Sequence, residues 1–313
     1  MANDPRWPQL SAEPDGPTIA ALHLFSQVIG KVPTAVLPWR NHGWHLTLHV
    51  GPRGLSTEPV HAASGTFTLA LDLAGNQLVY EDSSRRAAAP LASMSVADFY
   101  GTVFGLLKTA GHDIRIHAAP NEIDPAIPFV EDRAERTYDP DSARRLLGAL
   151  LSADRVFRLF RSSFLGKVSP VHFFWGSFDL AVTRFSGRTA PRHPGGIPNL
   201  PDDVTREAYS HEVSSAGFWP GGAGAPGGPF FYSYAYPSPD GFAAAKVAPE
   251  AARFDETLGE FILDYEAVRI APDPDAALLA FLESTYAAAA DPAAWDRAAL
   301  ECTLGRPDRP RAV

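Results

Sequence analysis

The sequence predicts an α+β protein with largely antiparallel sheets, arranged as two repeated halves that pack about a pseudo-twofold axis. Helix-like and strand-like segments occupy separate stretches of each half, with turns rich in proline and glycine between them. Two short matches also recur in the same order: Gly-Lys-Val at 30–32 and 166–168, and Ile-Arg-Ile at 114–116 against Val-Arg-Ile at 268–270. A duplicated chain of this kind is expected to place its functional groove where the two halves meet.

The first half, residues 1–130, is predicted to contain two helices and four strands. Apolar residues recur at helical spacing over 18–29, and Gly30 followed by Pro33 predicts the end of this helix. Residues 44–50 alternate between apolar and polar, which is typical of a half-buried strand. The remaining predicted elements are strands at 67–73 and 77–81 around the hairpin signal Ala74-Gly75-Asn76, a helix from Ser95 to about 110, and a strand at 114–117.

The second half, residues 131–313, overlaps an acidic, proline-rich linker at 121–137. Asp139 followed by Pro140 places a capping acceptor before a proline in the first turn, which predicts a helix to about residue 164. Four later segments have the composition of strands, at 170–185, 206–215, 230–236 and 260–270. Helices are predicted at 275–289 and 292–302.

Composition excludes several classes of protein. The net charge is −9 and the basic residues are not clustered, so we expect no nucleic-acid partner. The single cysteine, Cys302, rules out an internal disulfide and is typical of the reducing cytosol. No stretch reaches the roughly 18 apolar residues of a membrane span, and the N-terminus is acidic rather than signal-like. We therefore expect a cytoplasmic protein with a small-molecule ligand and no membrane partner, and composition does not indicate its oligomeric state.

Histidine and carboxylate side chains on the predicted central strands suggest a metal site. Two imidazoles and one carboxylate leave coordination positions for substrate, so we expect one divalent ion, iron or zinc. The predicted ligands are His172, His211 and one of Asp179 or Glu212. A two-residue turn at 175–176 would place His172 opposite Asp179, and His45 is predicted to be a third nitrogen ligand or an acid–base group. The simpler alternative for His45 is that its imidazole faces solvent or caps a sheet edge.

The segment 206–215 carries polar side chains on both faces if it is a strand. Glu207, Tyr209 and His211 then share one face, whereas a structural antiparallel strand normally keeps one face apolar. We therefore predict catalytic roles for Glu207 and Tyr209. An edge strand that is exposed to water on both sides is the alternative. The glycine-rich loop 221–228 that follows has the composition of a flexible lid.

Two further groups of side chains are candidates for substrate contact. Tyr232 and Tyr234 lie on one side of a predicted strand, where they serve either packing or ligand binding. Arg184 and Arg188 follow the strand that carries Asp179 and suit an anionic group of a substrate, unless they only neutralise the many acids of the chain.

Long strings of this sequence resemble the bacterial family known as domain of unknown function 5996. The resemblance is carried by residues 169–188, 207–212 and 218–220, with shorter strings at 41–42, 95–100 and 127–129. It therefore covers nearly the whole chain and implies a full-length, single-unit bacterial protein. It implies no activity and assigns no catalytic residue, cofactor or partner.

Two hypotheses of function follow from the residues. The Walker loop, the dinucleotide-binding glycine pattern and common hydrolase motifs are missing, so we expect no nucleotide cofactor. The first hypothesis is a metal-dependent oxidoreductase or hydrolase that acts on a small organic substrate between the halves. The alternative is a metal-free binding protein whose tyrosine, tryptophan and phenylalanine side chains form an apolar pocket. A scaffold protein is favoured only by the missing motifs.

Overall fold

The computed structural model describes residues 4–223 and 227–311, and it contains both α-helices and antiparallel sheets, as the sequence predicts. The helices are α1 (Ala12–Val36), α2 (Val96–Thr109), α3 (Pro140–Arg161), α4 (Asp202–Ala208), α5 (Tyr265–Arg269), α6 (Pro274–Ala290) and α7 (Arg297–Leu300). The first large sheet contains β1 (His49–Gly51), β2 (Gly54–Ser56), β3 (Val60–Ala62), β4 (Gly65–Asp72), β5 (Gln77–Asp82) and β6 (Arg86–Pro90). A separate pair is formed by β7 (Met94–Ser95) and β8 (Glu135–Arg136). The second large sheet contains β9 (His172–Phe174), β10 (Asp179–Thr189), β11 (His211–Trp219), β12 (Phe230–Tyr236), β13 (Arg253–Asp255) and β14 (Glu260–Asp264).

The two large sheets each have helices packed on them. The first sheet has the strand order β1-β2-β4-β5-β6, with β3 paired to β4, and the second has the order β13-β14-β12-β11-β10-β9. Helices α1 and α2 contact the first sheet, α6 contacts the second, and α3 contacts the second sheet and also β1. The face of the second sheet that points away from α3 and α6 forms the floor of a cavity. Helices α3 and α6 therefore leave this face of the sheet uncovered.

Local signals predict several elements correctly. The hairpin of β4 and β5 and the strand β12 are confirmed. Ser95 caps α2, because its hydroxyl accepts a hydrogen bond from the Asp98 backbone N–H at 3.1 Å. The Asp139 carboxylate caps α3 by accepting the Ser142 backbone N–H at 2.8 Å. These helix starts are predictable because the capping side chain and its N–H partner are only three residues apart.

The first helix is longer than predicted, because α1 continues through Gly30 and Pro33 to Val36. A Cβ at residue 30 would approach the Trp175 indole to well under 3.0 Å, so the glycine allows this ring to pack directly on the helix backbone. By length and mean hydropathy α1 also meets the criteria for a membrane span, which the sequence analysis did not expect. However, 78% of its most apolar window is buried inside the protein, as in a core helix.

Several predicted strands are wrong. Residues 41–47 form a short 3-10 helix and a turn, because His42 and Gly43 adopt positive φ angles of 57° and 66°, and only β1 remains of the strand predicted at 44–50. Residues 114–117 belong to neither a helix nor a strand. The predicted strand 206–215 is the end of α4 followed by β11, because two acidic residues directly after Pro201 favour a helix start. The second half of the strand predicted at 260–270 is α5.

The C-terminal part of the chain differs from the prediction in a smaller way. The helix predicted at 275–289 is confirmed as α6, but only α7 forms within the helix predicted at 292–302. Residues 224–226 of the predicted lid lie outside the described residues.

The structure does not show the expected duplication. The Gly-Lys-Val triplet at 30–32 lies inside α1, whereas the one at 166–168 lies between α3 and β9. Residues 114–116 are irregular, whereas residues 268–270 end α5. Short identical strings adopt different conformations here because tertiary packing outweighs the preference of three residues.

The hairpin between β9 and β10 has a different register from the one considered above. Phe174 pairs with Asp179 and His172 pairs with Ala181, so residues 175–178 form the connection. Phe178 closes this connection with a φ angle of 62°. Consequently, the predicted pairing of His172 with Asp179 is wrong.

Candidate ligand-binding site

A cavity of about 650 Å³ lies on the second sheet, on the face that points away from α3 and α6. Alternate residues of β10, β11 and β12 form its floor, because successive side chains of a strand point to opposite faces. Its walls come from the turn at 42–47, the β9–β10 connection, α4 and the segment 197–200. The tryptophan and phenylalanine side chains that line it are Trp44, Phe174, Trp175, Phe185, Trp219 and Phe230. This volume and this mostly apolar lining are typical of small-molecule sites.

Tyrosine hydroxyl groups and one aspartate form a polar network on the cavity floor. The Tyr232 hydroxyl donates a hydrogen bond to Asp179, which also accepts one from the hydroxyl of Ser177. The hydroxyl oxygens of Tyr209 and Tyr234 are 2.7 Å apart. Burial is the main cause that raises the pKa of all three tyrosines, so each hydroxyl keeps its proton and acts as a neutral donor or acceptor at physiological pH.

Gly217 allows Tyr232 to lie flat on the sheet. The two residues are cross-strand partners on β11 and β12. A Cβ at residue 217 would approach the Tyr232 phenol to well under 3.0 Å, which real Cβ atoms essentially never do. The phenol therefore covers the glycine, and its hydroxyl is directed to Asp179.

Three carboxyl groups line the same cavity, those of Asp179, Glu122 and Glu260. Burial, followed by repulsion from Asp179, raises the pKa of Glu122 to about 7 and that of Glu260 to about 8. Burial also raises the pKa of Asp179 itself, against the effect of its two hydroxyl donors. Perturbed carboxyl groups that face one cavity are typical of functional sites.

A polar stripe on the buried helix α1 positions the loop that carries Glu122. His23, Gln27 and Lys31 are four residues apart and therefore lie on one face of the helix. The Gln27 side-chain amide donates to the Asn121 carbonyl and accepts from the Asn121 N–H, both at 2.8 Å. His23 forms a hydrogen bond of 2.8 Å to the Gly176 carbonyl, and Lys31 binds the side chain of Asn121. One core helix thus holds two loops of the cavity wall.

Several non-glycine residues with positive φ angles lie at this cavity, and others, such as Asn76 and Ala294, lie elsewhere. Glu122 has a φ angle of 61° and His42 one of 57°, and both residues line the cavity. Asn199, with a φ angle of 54°, lies between the lining residues Ile197 and Leu200. Such left-handed conformations are unfavourable for side chains other than glycine and cluster at ligand sites, where surrounding contacts hold them.

The three predicted catalytic residues have different environments. Tyr209 lines the cavity. His45 is buried outside the cavity lining, and its Nδ1 accepts a 3.3 Å hydrogen bond from the backbone N–H of Arg40. Glu207 accepts the backbone N–H of His42 at 2.9 Å, so its carboxylate connects α4 to the 42–47 turn. The strand face expected to unite Glu207 with Tyr209 does not exist, because this segment ends a helix.

The predicted arginine pair does not reach the cavity. Arg184 is fully buried on the helix side of β10, where its guanidinium carbon lies 3.4 Å from the centre of the Phe160 ring. Alternation along the strand places it opposite the cavity floor. Arg188 forms an exposed ion pair with Glu212 at 2.7 Å. The predicted substrate contacts that do line the cavity are Tyr232 and Tyr234.

The predicted metal ligands occupy separate environments. Asp179 lines the cavity, whereas His211 does not, and Glu212 is engaged in the surface ion pair. His172 is buried with its Nδ1 at 3.0 Å from the hydroxyl of Thr47, and burial lowers its pKa to about 3. Across residues 4–223 and 227–311, no group of three or more His, Cys, Asp or Glu side chains is arranged to hold a metal ion.

Sequence reasoning missed Glu122, Glu260 and the polar stripe of α1. Glu122 lies within the irregular segment between α2 and β8, where no periodicity marks it, and Glu260 is the first residue of β14. The stripe did carry a signal, because a histidine, a glutamine and a lysine at four-residue spacing are unusual inside an otherwise apolar helix.

Fold and site together define a class: an α+β protein whose second sheet carries a cavity lined by aromatic side chains and carboxyl groups. The profile of the Family of unknown function (DUF5996) matches residues 7–302. The chain therefore belongs to this family, and the resemblance noted from its sequence is confirmed. Neither a curated protein nor a solved structure gives a significant match. The family match covers both large sheets and the whole cavity lining.

Proposed function

We propose that this protein binds a small organic molecule in the cavity on its second sheet, in a manner that requires no metal ion. One observation carries the proposal: a cavity of about 650 Å³ combines aromatic walls with a small number of polar groups. The aromatic walls would supply affinity, and the polar groups would orient the ligand.

The lining is suited to a ligand with an aromatic or aliphatic body. Burial of about 200 Å² of apolar ligand surface contributes roughly 5 kcal/mol before the costs of association. Those costs are of similar size, so tight binding also needs the polar network of Asp179, Tyr209, Tyr232 and Tyr234. The strained backbone at Glu122 and His42 favours a preorganised site, because surrounding contacts already hold it in place.

The metal-dependent enzyme suggested by the sequence is not part of this proposal. Among its expected ligands, His172 is hydrogen-bonded to Thr47 and Glu212 is paired with Arg188. His211 does not line the cavity that contains Asp179. The cavity instead corresponds to the alternative hypothesis, a pocket lined by tyrosine, tryptophan and phenylalanine side chains.

A cavity-blocking variant tests the proposal. Val204 on α4 lines the cavity, so Val204→Trp should fill part of it. Its matched control is Asp203→Trp, because the Asp203 side chain is 92% exposed. Calorimetric titration with tryptamine and with its neutral analogue tryptophol should detect saturable binding of at least one probe to the wild type and to Asp203→Trp. Val204→Trp should weaken that binding by about tenfold or more.

Thermal unfolding of each variant verifies that the fold is retained. Ala208→Phe, which also changes the cavity wall, replaces Val204→Trp if the latter does not fold. Unchanged probe affinity in a folded cavity-blocked variant would overturn the assignment of the site.

A further inference from the structure

We propose that the ligand of this cavity is an organic cation, an amine or ammonium compound with an apolar body. The inference rests on the proposed function and adds the charge of the ligand. Asp179, Glu122 and Glu260 line the cavity together, and none of the described lining residues is a lysine or an arginine. The cavity is therefore acidic as well as aromatic.

Two of these carboxyl groups have no protein partner among the described residues. Asp179 accepts hydrogen bonds from Ser177 and Tyr232. In contrast, neither a hydrogen-bond donor nor a positively charged group lowers the pKa of Glu122 or Glu260. An unpaired carboxylate in an apolar wall is costly. A ligand cation would supply both the opposite charge and the N–H donors that these oxygens lack.

The aromatic walls favour a cation over a neutral ligand. Tryptophan and tyrosine faces attract cations through the ring quadrupole. Two lysines of the protein already lie over tryptophan rings of the cavity wall. Lys31 Nζ lies 5.5 Å from the Trp175 ring centre, and Lys167 Nζ lies 5.6 Å from the Trp44 ring centre. Both lysines have other partners and neither lines the cavity. The cavity side of these walls therefore lacks a cation of its own.

The raised pKa values of Glu122 and Glu260 also favour a cationic ligand. Burial and the nearby Asp179 raise the pKa of Glu122 to about 7 and that of Glu260 to about 8, so part of their charge is neutralised by protons in the free protein. A bound cation would replace those protons. Asp179 acts on both glutamates and Asp255 acts on Glu260. The glutamates in turn help to raise the pKa of the neighbouring tyrosines, which are Tyr209, Tyr232 and Tyr234.

Three indole compounds of similar size test the inference by calorimetric titration of the full chain. They are tryptamine as the cation, tryptophol as the neutral analogue and indoleacetate as the anion. Tryptamine should bind at least about tenfold more tightly than tryptophol, and indoleacetate should bind most weakly. The double variant Glu122→Gln/Glu260→Gln should reduce the preference for tryptamine by about tenfold, whereas Glu81→Gln, an exposed residue of β5, should leave it unchanged.

The outcomes separate this inference from the proposed function. Equal affinity for tryptamine and tryptophol, or tightest binding of indoleacetate, overturns the organic cation and leaves the pocket assignment intact. A preference for tryptamine that persists in the folded double variant overturns the role of the two glutamates. No saturable binding of any of the three compounds at millimolar concentration overturns both proposals.

Discussion

Gly217→Ala should disrupt the polar floor of the cavity, because the glycine lies under Tyr232. An alanine Cβ would approach the phenol oxygen and two ring carbons to well under 3.0 Å. The strand backbone on one side and the phenol on the other leave the added methyl no free space. The Tyr232 ring therefore has to move, and its hydrogen bond to Asp179 should be lost with it.

The expected cost follows from these two contacts. Overpacking by one methyl group costs about 1–3 kcal/mol. Loss of the hydrogen bond between Tyr232 and the Asp179 carboxyl group adds about 1.5–3 kcal/mol. We expect a total of about 2.5–6 kcal/mol in the free energy of unfolding. At about 2–4 °C per kcal/mol for a large domain, the Tm should fall by roughly 5–24 °C.

Thermal and urea unfolding measure this effect against a matched glycine. Gly101 lies in α2 with no atom within 4 Å of an added Cβ, so Gly101→Ala should stabilise the helix by about 0.5–1 kcal/mol. In a Tyr232→Ala background, Gly217→Ala should cost almost nothing, because the ring that it displaces is missing. An unchanged Tm for Gly217→Ala, or an equal loss in both backgrounds, would refute the packing of Tyr232 on Gly217.

Two further predictions concern ionisation and the α1 stripe. Between about pH 5 and 8, the free protein should lose stability as pH rises, because Glu122 and Glu260, whose pKa values are raised from 4.5 to about 7 and about 8, hold protons that the unfolded chain has released. Urea midpoints of Glu260→Gln should vary less over this range. Gln27→Ala should cost about 1–3 kcal/mol and accelerate hydrogen exchange at the Asn121 amide, which Gln27 binds in the native protein. Unchanged exchange there would contradict the positioning role of α1.

Elements with short-range signals were predictable, and those that depend on distant partners were not. The starts of α2 and α3 depend on capping residues three positions from their partners, so the sequence alone locates them. Gly30 has the same local appearance as a helix terminator, but its role depends on Trp175, which is far along the chain. The alternation at 206–215 likewise resembles a strand, although α4 ends there.

The residues of the candidate site were also predictable from the sequence only in part. Asp179, Tyr209, Tyr232 and Tyr234 were predicted as site residues and line the cavity. The prediction placed Asp179 in a metal site, however, and paired it with His172 through a two-residue turn that the β9–β10 hairpin does not have. The polar stripe of α1 was visible as spacing, but the loops it binds were not.

By itself, the sequence determined the α+β class, the family, the capped helices and the tyrosine-rich strand β12. Tertiary structure alone decided which carboxyl groups meet, because Glu122, Asp179 and Glu260 come from separate segments. It also decided that Arg184 is structural, since one residue of strand register moves a side chain to the opposite face of a sheet. Loop conformations such as that of Glu122 at positive φ are unfavourable locally, so the contacts that hold them must come from the rest of the fold.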